Sequence, residues 1–381
     1  MVEPLGEAAE HARIGRLGRV RDRMGEVGVD VLLLSHGADL PWLTGYRAMP
    51  LERVTVLVLP LVGDPVLVVP GLEAPRVARA DRLFTVRPWS DGEDPVAIVA
   101  SLVGPTVRRA AVSDRAWAST VLDLQQALGA TDWVAASTVT SPVRAVKDPG
   151  EVAALRAAGA AADRVAAQLQ AGAIPLVGRS EADVSAEIGR RLLAEGHTAV
   201  NFAIVGSGPN GASPHHEPGA RVIGAGETVV CDFGGTLSPG GDTGYCSDIT
   251  RTVVTGEPSG EVAECYAVLL EAQQAAVAAA VSGVTAESVD RVARDIITAG
   301  GFGDRFVHRT GHGIGIEEHE DPYLVVGNVE PLRPGHAFSV EPGIYLPGRF
   351  GMRLEDIVVI GDDGRPEPLN SADHALVTVD G

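Results

Sequence analysis

Two spacings of apolar residues divide the first third of the chain into helices and strands. Residues 10–27 carry apolar side chains three or four positions apart, which predicts an amphipathic helix. Short apolar runs typical of buried strands follow at residues 31–34, 54–59, 66–69, 83–86 and 109–112 and around Trp133. Helices are predicted at residues 73–80, 95–103 and 119–128, and a turn at residues 39–46. This alternation predicts an α/β domain with a mixed sheet.

A segment with two prolines and a glycine, residues 141–150, interrupts this pattern. We interpret it as the boundary between an N-terminal domain, residues 1–142, and a second domain, residues 143–381. A chain of 381 residues is long enough for two domains, each with its own apolar core.

The second domain mixes alanine-rich helices with short apolar strands. Helices are predicted at residues 151–169, 180–194, 258–281 and 286–299. Ser180 and Asp183 form a pair typical of a helix N-terminus. From Val200 onward, apolar runs are separated by Gly and Pro, so the helices are expected to accompany a strongly bent sheet.

Composition narrows the class of protein. Fifty acidic residues against 31 basic ones give a net charge of −19, which argues against nucleic acid or an anionic membrane as a partner. Three irregularly spaced cysteines fit neither a disulfide framework nor a thiolate zinc site, so a reducing cytoplasm is the expected compartment. No apolar run approaches the roughly 18 to 20 residues of a membrane span.

The stretch from residue 308 to residue 319 contains three of the ten histidines, separated by glycines. Imidazole is a common metal ligand and a ready proton carrier, and glycines allow close approach of backbone and substrate. We therefore predict that His312 is a metal ligand. The alternative is a polar, glycine-rich surface loop.

Two aspartates follow or precede apolar strand sequences. Asp232 ends the run from Val229, and Asp248 precedes the β-favouring run 249–254. A carboxylate in such a setting is costly unless it is paired or bound to a metal. The alternative for Asp232 is a turn-capping aspartate at a strand end.

Two glutamates lie near strands that a hairpin loop, residues 347–351, joins. Antiparallel pairing of these strands would bring Glu341 and Glu355 within reach of one centre. The alternative for Glu355 is an ion pair with Arg353, which lies two residues earlier on the same strand face.

Four carboxylates and one histidine can bind two divalent ions. Their four negative charges balance two such ions and leave a bridging hydroxide as the nucleophile. So many oxygen ligands favour manganese, with cobalt or zinc possible.

The C-terminal half resembles the metallopeptidases of the pita-bread fold, the family of methionine aminopeptidase, aminopeptidase P and prolidase. The matching motifs are Asp-Phe-Gly at Asp232, Ser-Asp-Ile-Thr-Arg at Asp248, Gly-His-Gly-Ile-Gly at His312, Val-Glu-Pro-Gly at Glu341 and Arg-Leu-Glu-Asp at Glu355. The earlier α/β region resembles the N-terminal domain of the creatinase and prolidase branch. The resemblance implies an α+β pita-bread catalytic domain with a strongly bent antiparallel sheet.

The resemblance also implies a role for each matching residue. Asp248 and Glu355 would bridge the two ions, Asp232 would bind one ion, and His312 with Glu341 would bind the other; Glu341 would also exchange protons with the water. His319 would hydrogen-bond the substrate carbonyl, and His308 would line the substrate pocket. His215 would be the active-site histidine of its loop, with His216 a bystander. Arg353 would orient a ligand carboxylate.

One departure concerns the long glycine-rich segment 234–244 between the two aspartates. Such insertions cost little, so both aspartates are kept as ligands. Asp242 is a rival for the first metal position, but it lacks an apolar strand around it.

The favoured function is an Xaa-Pro aminopeptidase, which cleaves the bond before proline at the N-terminus of peptides. The alternative is an Xaa-Pro dipeptidase, or prolidase, which acts only on dipeptides. A pita-bread module that binds other proteins without catalysis is a weaker alternative, since such modules have lost the ligands that this chain keeps. The resemblance implies a homodimer, with a proline-containing peptide as the substrate.

Overall fold

The computed structural model describes residues 6–78, 80, 82–238 and 243–379. These residues form two compact units, Met1–Arg144 and Ala145–Gly381. No helix among the described residues combines the length and the apolar character that crossing a membrane requires.

The first unit is built on a mixed six-stranded sheet of order β4-β3-β2-β1-β5-β6. Its strands are β1 Val31–Leu34, β2 Val56–Pro60, β3 Val66–Pro70, β4 Thr85–Trp89, β5 Arg109–Val112 and β6 Asp132–Ala135. Its helices are α1 Glu7–Val27, α2 Asp39–Thr44, α3 Pro95–Val103, α4 Ala118–Leu128 and α5 Ser137–Ala145. β2 runs antiparallel to both β1 and β3, and the other pairs are parallel, which confirms the predicted mixed sheet.

Three local predictions in this region are wrong. Residues 39–46, expected as a turn, contain the buried helix α2, because Trp42 and Leu43 are covered by the fold. The helix expected at 73–80 is a single 3₁₀ turn, Ala74–Arg76, since the ring of Pro75 suits only a first helical turn. α5 runs through Pro142, which the sequence placed in a linker.

The second unit holds its strands in two five-stranded sheets and a two-stranded ribbon. The first sheet has the order β18-β10-β8-β7, with β9 beside β8; the second has the order β12-β11-β13-β16-β17; β14 and β15 form the ribbon. The strands are β7 Ala199–Ser207, β8 Thr228–Leu237, β9 Tyr245–Cys246, β10 Ile249–Val254, β11 Gly311–Gly313, β12 Glu320–Leu324, β13 Ala337–Val340, β14 Gly343–Leu346, β15 Phe350–Arg353, β16 Asp356–Ile360, β17 Pro366–Pro368 and β18 Val377–Thr378.

Each five-stranded sheet is covered by two helices. α6 (Pro149–Gln170) and α7 (Glu181–Ala194) pack on β7, β8 and β10. α8 (Gly260–Ala279) and α9 (Ala286–Ala299) pack on β12, β13 and β16. The helices therefore bury one face of each sheet.

Local sequence chemistry explains where α6 and α7 begin. Asp148 accepts from the Glu151 backbone N–H, and the Glu151 side chain accepts from the Asp148 N–H, which completes a capping box. The Ser180 hydroxyl oxygen accepts from the Asp183 N–H at 3.1 Å, as the sequence predicts.

The predicted antiparallel hairpin is confirmed and forms a separate two-stranded ribbon. β14 and β15 pair antiparallel, while β13 and β16 pair in the second sheet with Val340 opposite Asp356. Glu341 follows β13 directly and Glu355 precedes β16 directly, so the register brings both glutamates to the place where the ribbon leaves the sheet.

His336 makes the stability of this unit sensitive to pH. Burial, with the nearby charges of Lys147 and Arg333, lowers the His336 pKa to about 4. Lys147 itself pairs with Glu320. The unfolded chain binds more protons than the folded chain between pH 6.5 and 4, so stability is complete above pH 6.5 and falls as the pH drops toward 4.

We predict that His336→Gln reduces this dependence by the share that His336 contributes, on the order of 3 kcal/mol over the window. Urea unfolding between pH 7.5 and 4.5, with chelator present throughout, measures it. The exposed His11→Gln variant is the control. Equal slopes for His336→Gln and wild type would contradict the assignment.

Candidate active site

Strand alternation aims one set of side chains away from the helices. In β8, Val229, Cys231 and Phe233 pack into the core under α6 and α7, so Asp232 points to the opposite face. Asp232 lies inside β8, not at a strand end as the sequence suggested. In β10, Ile249 faces that core, so Asp248, at the preceding position, is placed on the other side.

The second sheet and the ribbon follow the same rule. Val340 and Leu354 belong to the core under α8 and α9. Glu341 and Glu355 are the next residue in each case and therefore face away from that core. The carboxylates of both sheets thus project into the same space.

This space contains a close cluster of ligand atoms. One ligand atom each from Asp248, His312 and Glu355 lies within 4.8 Å of the others, and all three residues are buried. His312 Nε2 lies 3.7 Å from Asp248 Oδ2 and 3.2 Å from Glu341 Oε1. Asp232 is connected to this cluster through Thr250. Thr250 lies opposite Asp232 in the β8–β10 pair, and its hydroxyl donates to Glu355 Oε2 at 2.7 Å.

The donor set fits divalent cations. Asp232 Oδ1, Asp248 Oδ1 and Glu355 Oε1 are buried and have no hydrogen-bond partner among the described residues. Burial and the neighbouring carboxylates raise the pKa of all three groups, Asp248 and Glu355 well above their usual range. Unpaired buried carboxylate oxygens carry a large desolvation cost, which cations would offset.

Glu341 and His312 behave differently from these three. Burial alone would raise the Glu341 pKa, but the hydrogen bond to His312 and the His312 charge outweigh it and hold the pKa at about 2. The His312 Nδ1 atom lies 3.1 Å from the Gly313 carbonyl oxygen, which can only accept. Nδ1 therefore carries hydrogen, and Nε2 is the nitrogen directed toward the carboxylates.

Arg353 contacts the carboxylates and their supports. Its Nη2 donates to Asp232 Oδ2, its Nε donates to the Thr250 hydroxyl at 3.1 Å, and Nε lies 4.0 Å from Glu341 Oε2. The suggested ion pair of Arg353 with Glu355 is not formed; the nearest carboxylate is that of Asp232.

A chain of hydrogen bonds leads from Arg353 to His308. Arg353 Nη1 donates to the Tyr345 hydroxyl at 2.8 Å, and that hydroxyl lies 2.9 Å from His308 Nε2. Burial raises the Tyr345 pKa to about 12, so the phenol keeps its hydrogen and donates it to Nε2. His308 Nδ1 donates to the Arg309 carbonyl oxygen at 2.7 Å. Both nitrogens of His308 are thus committed to the protein.

α9 fixes the backbone of the same segment. Asp290 accepts from the backbone and hydroxyl of Thr310, and Arg294 donates to the His308 carbonyl oxygen at 2.9 Å. Asp290 and Arg294 pair with each other at 2.9 Å, one helical turn apart. Side chains of one helix therefore position the residues just before His312.

His319 and His215 complete the wall of the site. The His319 ring centroid lies 4.0 Å from that of His312, and Arg309 Nη2 lies 3.4 Å from His319 Nδ1. Burial, with the charges of His312 and Arg309, lowers the His319 pKa to about 4. His215 lies near enough to His308 and His319 to contribute to the lowering of the pKa of each.

Several contributors were not singled out from the sequence. Thr250, Tyr345 and Ser339 have no feature that separates them from ordinary strand residues. Ser339 donates to Glu341 Oε1 at 3.2 Å and accepts from the His312 N–H at 3.0 Å. The available signal was the alternation of side chains along a strand, since Thr250 lies two positions from Asp248, and Ser339 and Tyr345 lie two and four positions from Glu341. The rival ligand Asp242 lies outside the described residues.

Comparison with known proteins defines the class. Residues 153–362 match the metallopeptidase family M24, and residues 16–146 match the creatinase/prolidase N-terminal domain. The chain therefore belongs to metallopeptidase family M24. It is a metallo-exopeptidase with an α/β N-terminal domain and a pita-bread catalytic domain.

Individual relatives cover nearly the whole chain. It is 46% identical to the probable dipeptidase PepE of Mycobacterium tuberculosis over 376 residues, 98% of each protein. It is 36% identical to an Xaa-Pro dipeptidase of Lactobacillus helveticus, covering 88% of this chain and 91% of that protein. The crystal structure of dipeptidase PepE from Mycobacterium ulcerans is 45% identical, with a TM-score of 0.90 and coverage of 98% and 99%.

We predict that removing metal destabilises the second unit, because the buried carboxylates then repel one another without compensation. A chelator should lower the Tm by about 10 °C, and added metal should restore it. Glu355→Gln, with one ligand and one buried charge fewer, should show a smaller fall, whereas the exposed Glu330→Gln should match wild type. A Tm that chelator leaves unchanged would refute the prediction.

Proposed function

We propose that this protein is an Xaa-Pro dipeptidase that hydrolyses dipeptides at the bond before proline. The whole-chain similarity to proteins named dipeptidase supports this reading over the Xaa-Pro aminopeptidase that the motifs first favoured. The observation on which the proposal rests is the guanidinium of Arg309, which lies 3.4 Å from His319 Nδ1.

A guanidinium at this position suits a dipeptide. His319 is expected to meet the scissile carbonyl, and the C-terminal carboxylate of a dipeptide lies only one residue beyond that carbonyl. In a longer peptide the same position holds a neutral amide, which a guanidinium binds less strongly. Arg309 also lies over the Tyr323 ring, 4.5 Å from its centroid, which limits its range of positions.

The proposed metal ligands are Asp232, Asp248, His312, Glu341 and Glu355, holding two divalent ions. Manganese is the first candidate and cobalt or zinc the alternatives. Bound ions of this kind acidify a water molecule and polarise a carbonyl group. Both the identity of the metal and the homodimer expected from the resemblance remain predictions.

The remaining groups divide the work of binding and proton transfer. A guanidinium can only donate, so His319 Nδ1 accepts from Arg309 and its Nε2 carries the hydrogen that the substrate carbonyl oxygen would accept. Glu341, ionised because of its low pKa, can accept a proton from water and pass it on. His308 presents carbon atoms to the pocket, since both its nitrogens are engaged.

Substrate length and sequence test the proposal directly. With Mn, Co and Zn supplied in turn, the enzyme should cleave Xaa-Pro dipeptides and leave Xaa-Pro-Xaa tripeptides nearly untouched. Equal cleavage of tripeptides would restore the aminopeptidase reading. Faster cleavage of dipeptides without proline would refute the proline specificity.

We predict that Arg309→Ala raises the KM for an Xaa-Pro dipeptide by about tenfold or more, because it removes a charge-assisted hydrogen bond to the carboxylate. The KM for the corresponding dipeptide amide should change little. The KM of Arg309→Lys for the dipeptide should fall between those of wild type and Arg309→Ala. The exposed Arg305→Ala is the matched control. An equal effect on the dipeptide and its amide would show that Arg309 does not read the carboxylate.

A further inference from the structure

The loop that carries His215 is held on both sides of that residue. On one side, the Pro214 carbonyl oxygen accepts from Arg353 Nη1 at 3.2 Å. On the other side, the His216 ring places Nε2 2.8 Å from Glu181 Oε2. Arg353 also contacts Asp232, so the first attachment belongs to the proposed metal site. The second attachment does not.

Glu181 is an unusual anchor, because it is a carboxylate with no exposed surface at the first position of α7. Its Oε1 accepts from the Ser207 N–H at 2.8 Å and the Ser207 hydroxyl at 2.7 Å. The Asn210 amide donates to both carboxylate oxygens, at 3.0 and 3.1 Å. The end of β7 and the following turn therefore hold the carboxylate in one orientation.

The charge state of Glu181 follows from these contacts. Burial would raise the Glu181 pKa, but the hydrogen bonds from Ser207, His216 and Asn210 outweigh it and lower the pKa. An ionised carboxylate can only accept, so His216 donates through Nε2. The His216 side chain is 19% exposed and is thus mostly enclosed beside its partner.

His215 has no comparable support of its own. Its imidazole makes no hydrogen bond within the part of the chain that the structure describes, and the residue is exposed. A histidine that acts on substrate is ordinarily aimed by a hydrogen bond to its second nitrogen. Here the direction of the ring depends on the backbone, and hence on the two attachments that flank it.

We propose that Glu181 and His216 are positioning residues, whose hydrogen bond fixes the loop so that His215 faces the substrate. This inference rests on the proposed function, because it takes His215 to contact the substrate. It also revises the interpretation of His216 as a bystander. Neither Glu181 nor His216 touches substrate in this arrangement; both act through the backbone at residue 215.

A double-mutant cycle between positions 215 and 216 tests the proposal. His216→Ala should lower kcat for an Xaa-Pro dipeptide by about ten- to a hundredfold, since small displacements of an active-site group are costly. In a His215→Ala background the same change should have almost no further effect, because there is no imidazole left to position. In the wild-type background and in the His215→Ala background, His216→Ala should leave the metal content and the Tm unchanged.

Conservative variants separate positioning from simple loss of packing. His216→Gln retains an N–H that can reach Glu181, so it should recover most of the kcat that His216→Ala loses. Glu181→Gln should lower kcat as His216→Ala does, and the His216 variants keep the test informative if Glu181 variants do not fold. The exposed His11→Ala is the matched control and should behave as wild type.

Two outcomes would overturn the inference. One is an equal loss from His216→Ala whether or not His215 is present, which would make His216 act independently of its neighbour. The other is unchanged kcat in His216→Ala. The length preference for dipeptides is measured separately, so its failure would count against the proposed function and leave the cycle interpretable. If His215→Ala itself left kcat unchanged, that result would count against both the proposed role of His215 in catalysis and this inference.

Discussion

The crowding of like charge around one point is the constraint on which the catalytic unit depends. Asp232, Asp248 and Glu355 are all buried; ligand atoms of Asp248 and Glu355 lie within 4.8 Å of each other, and Glu341 Oε1 lies 3.2 Å from His312 Nε2. Among the described residues, Arg353 is the only one whose guanidinium pairs with the side-chain carboxylates of this group. One cation cannot neutralise four carboxylates, so this cluster favours either protonation, as the raised pKa values of Asp232, Asp248 and Glu355 indicate, or the binding of further positive charge.

The architecture keeps these carboxylates from separating. Two helices pack on one face of each sheet and form an apolar core with it. The strands therefore cannot turn their polar side chains away from the centre. The pleat then delivers alternate residues to the opposite face. Thr250 and Arg353 occupy such alternate positions and place hydrogen-bond donors between the carboxylates. Apolar packing thus holds in place a site that its own charges would disperse.

The histidines around the centre differ in what their nitrogens are free to do. His308 is engaged at both nitrogens, His312 at Nδ1 only, and His319 at the nitrogen facing Arg309. The His215 ring makes no hydrogen bond within the described residues. These differences come from the partners of each ring, and they match the three different roles proposed for His308, His312 and His319.

The sequence by itself determined the class of fold, most helices and strands, and the residue types of the site, because apolar periodicity and the spacing of acidic motifs are local properties. It misjudged α2 and the helix through Pro142, where burial overrides local preference. Only the tertiary structure decided that Arg353 pairs with Asp232 and not Glu355, that Tyr345 holds His308, and that His216 is anchored by Glu181. These pairs join residues 35 to 121 positions apart. Contacts across such distances arise from sheet register and helix packing, which no local pattern encodes.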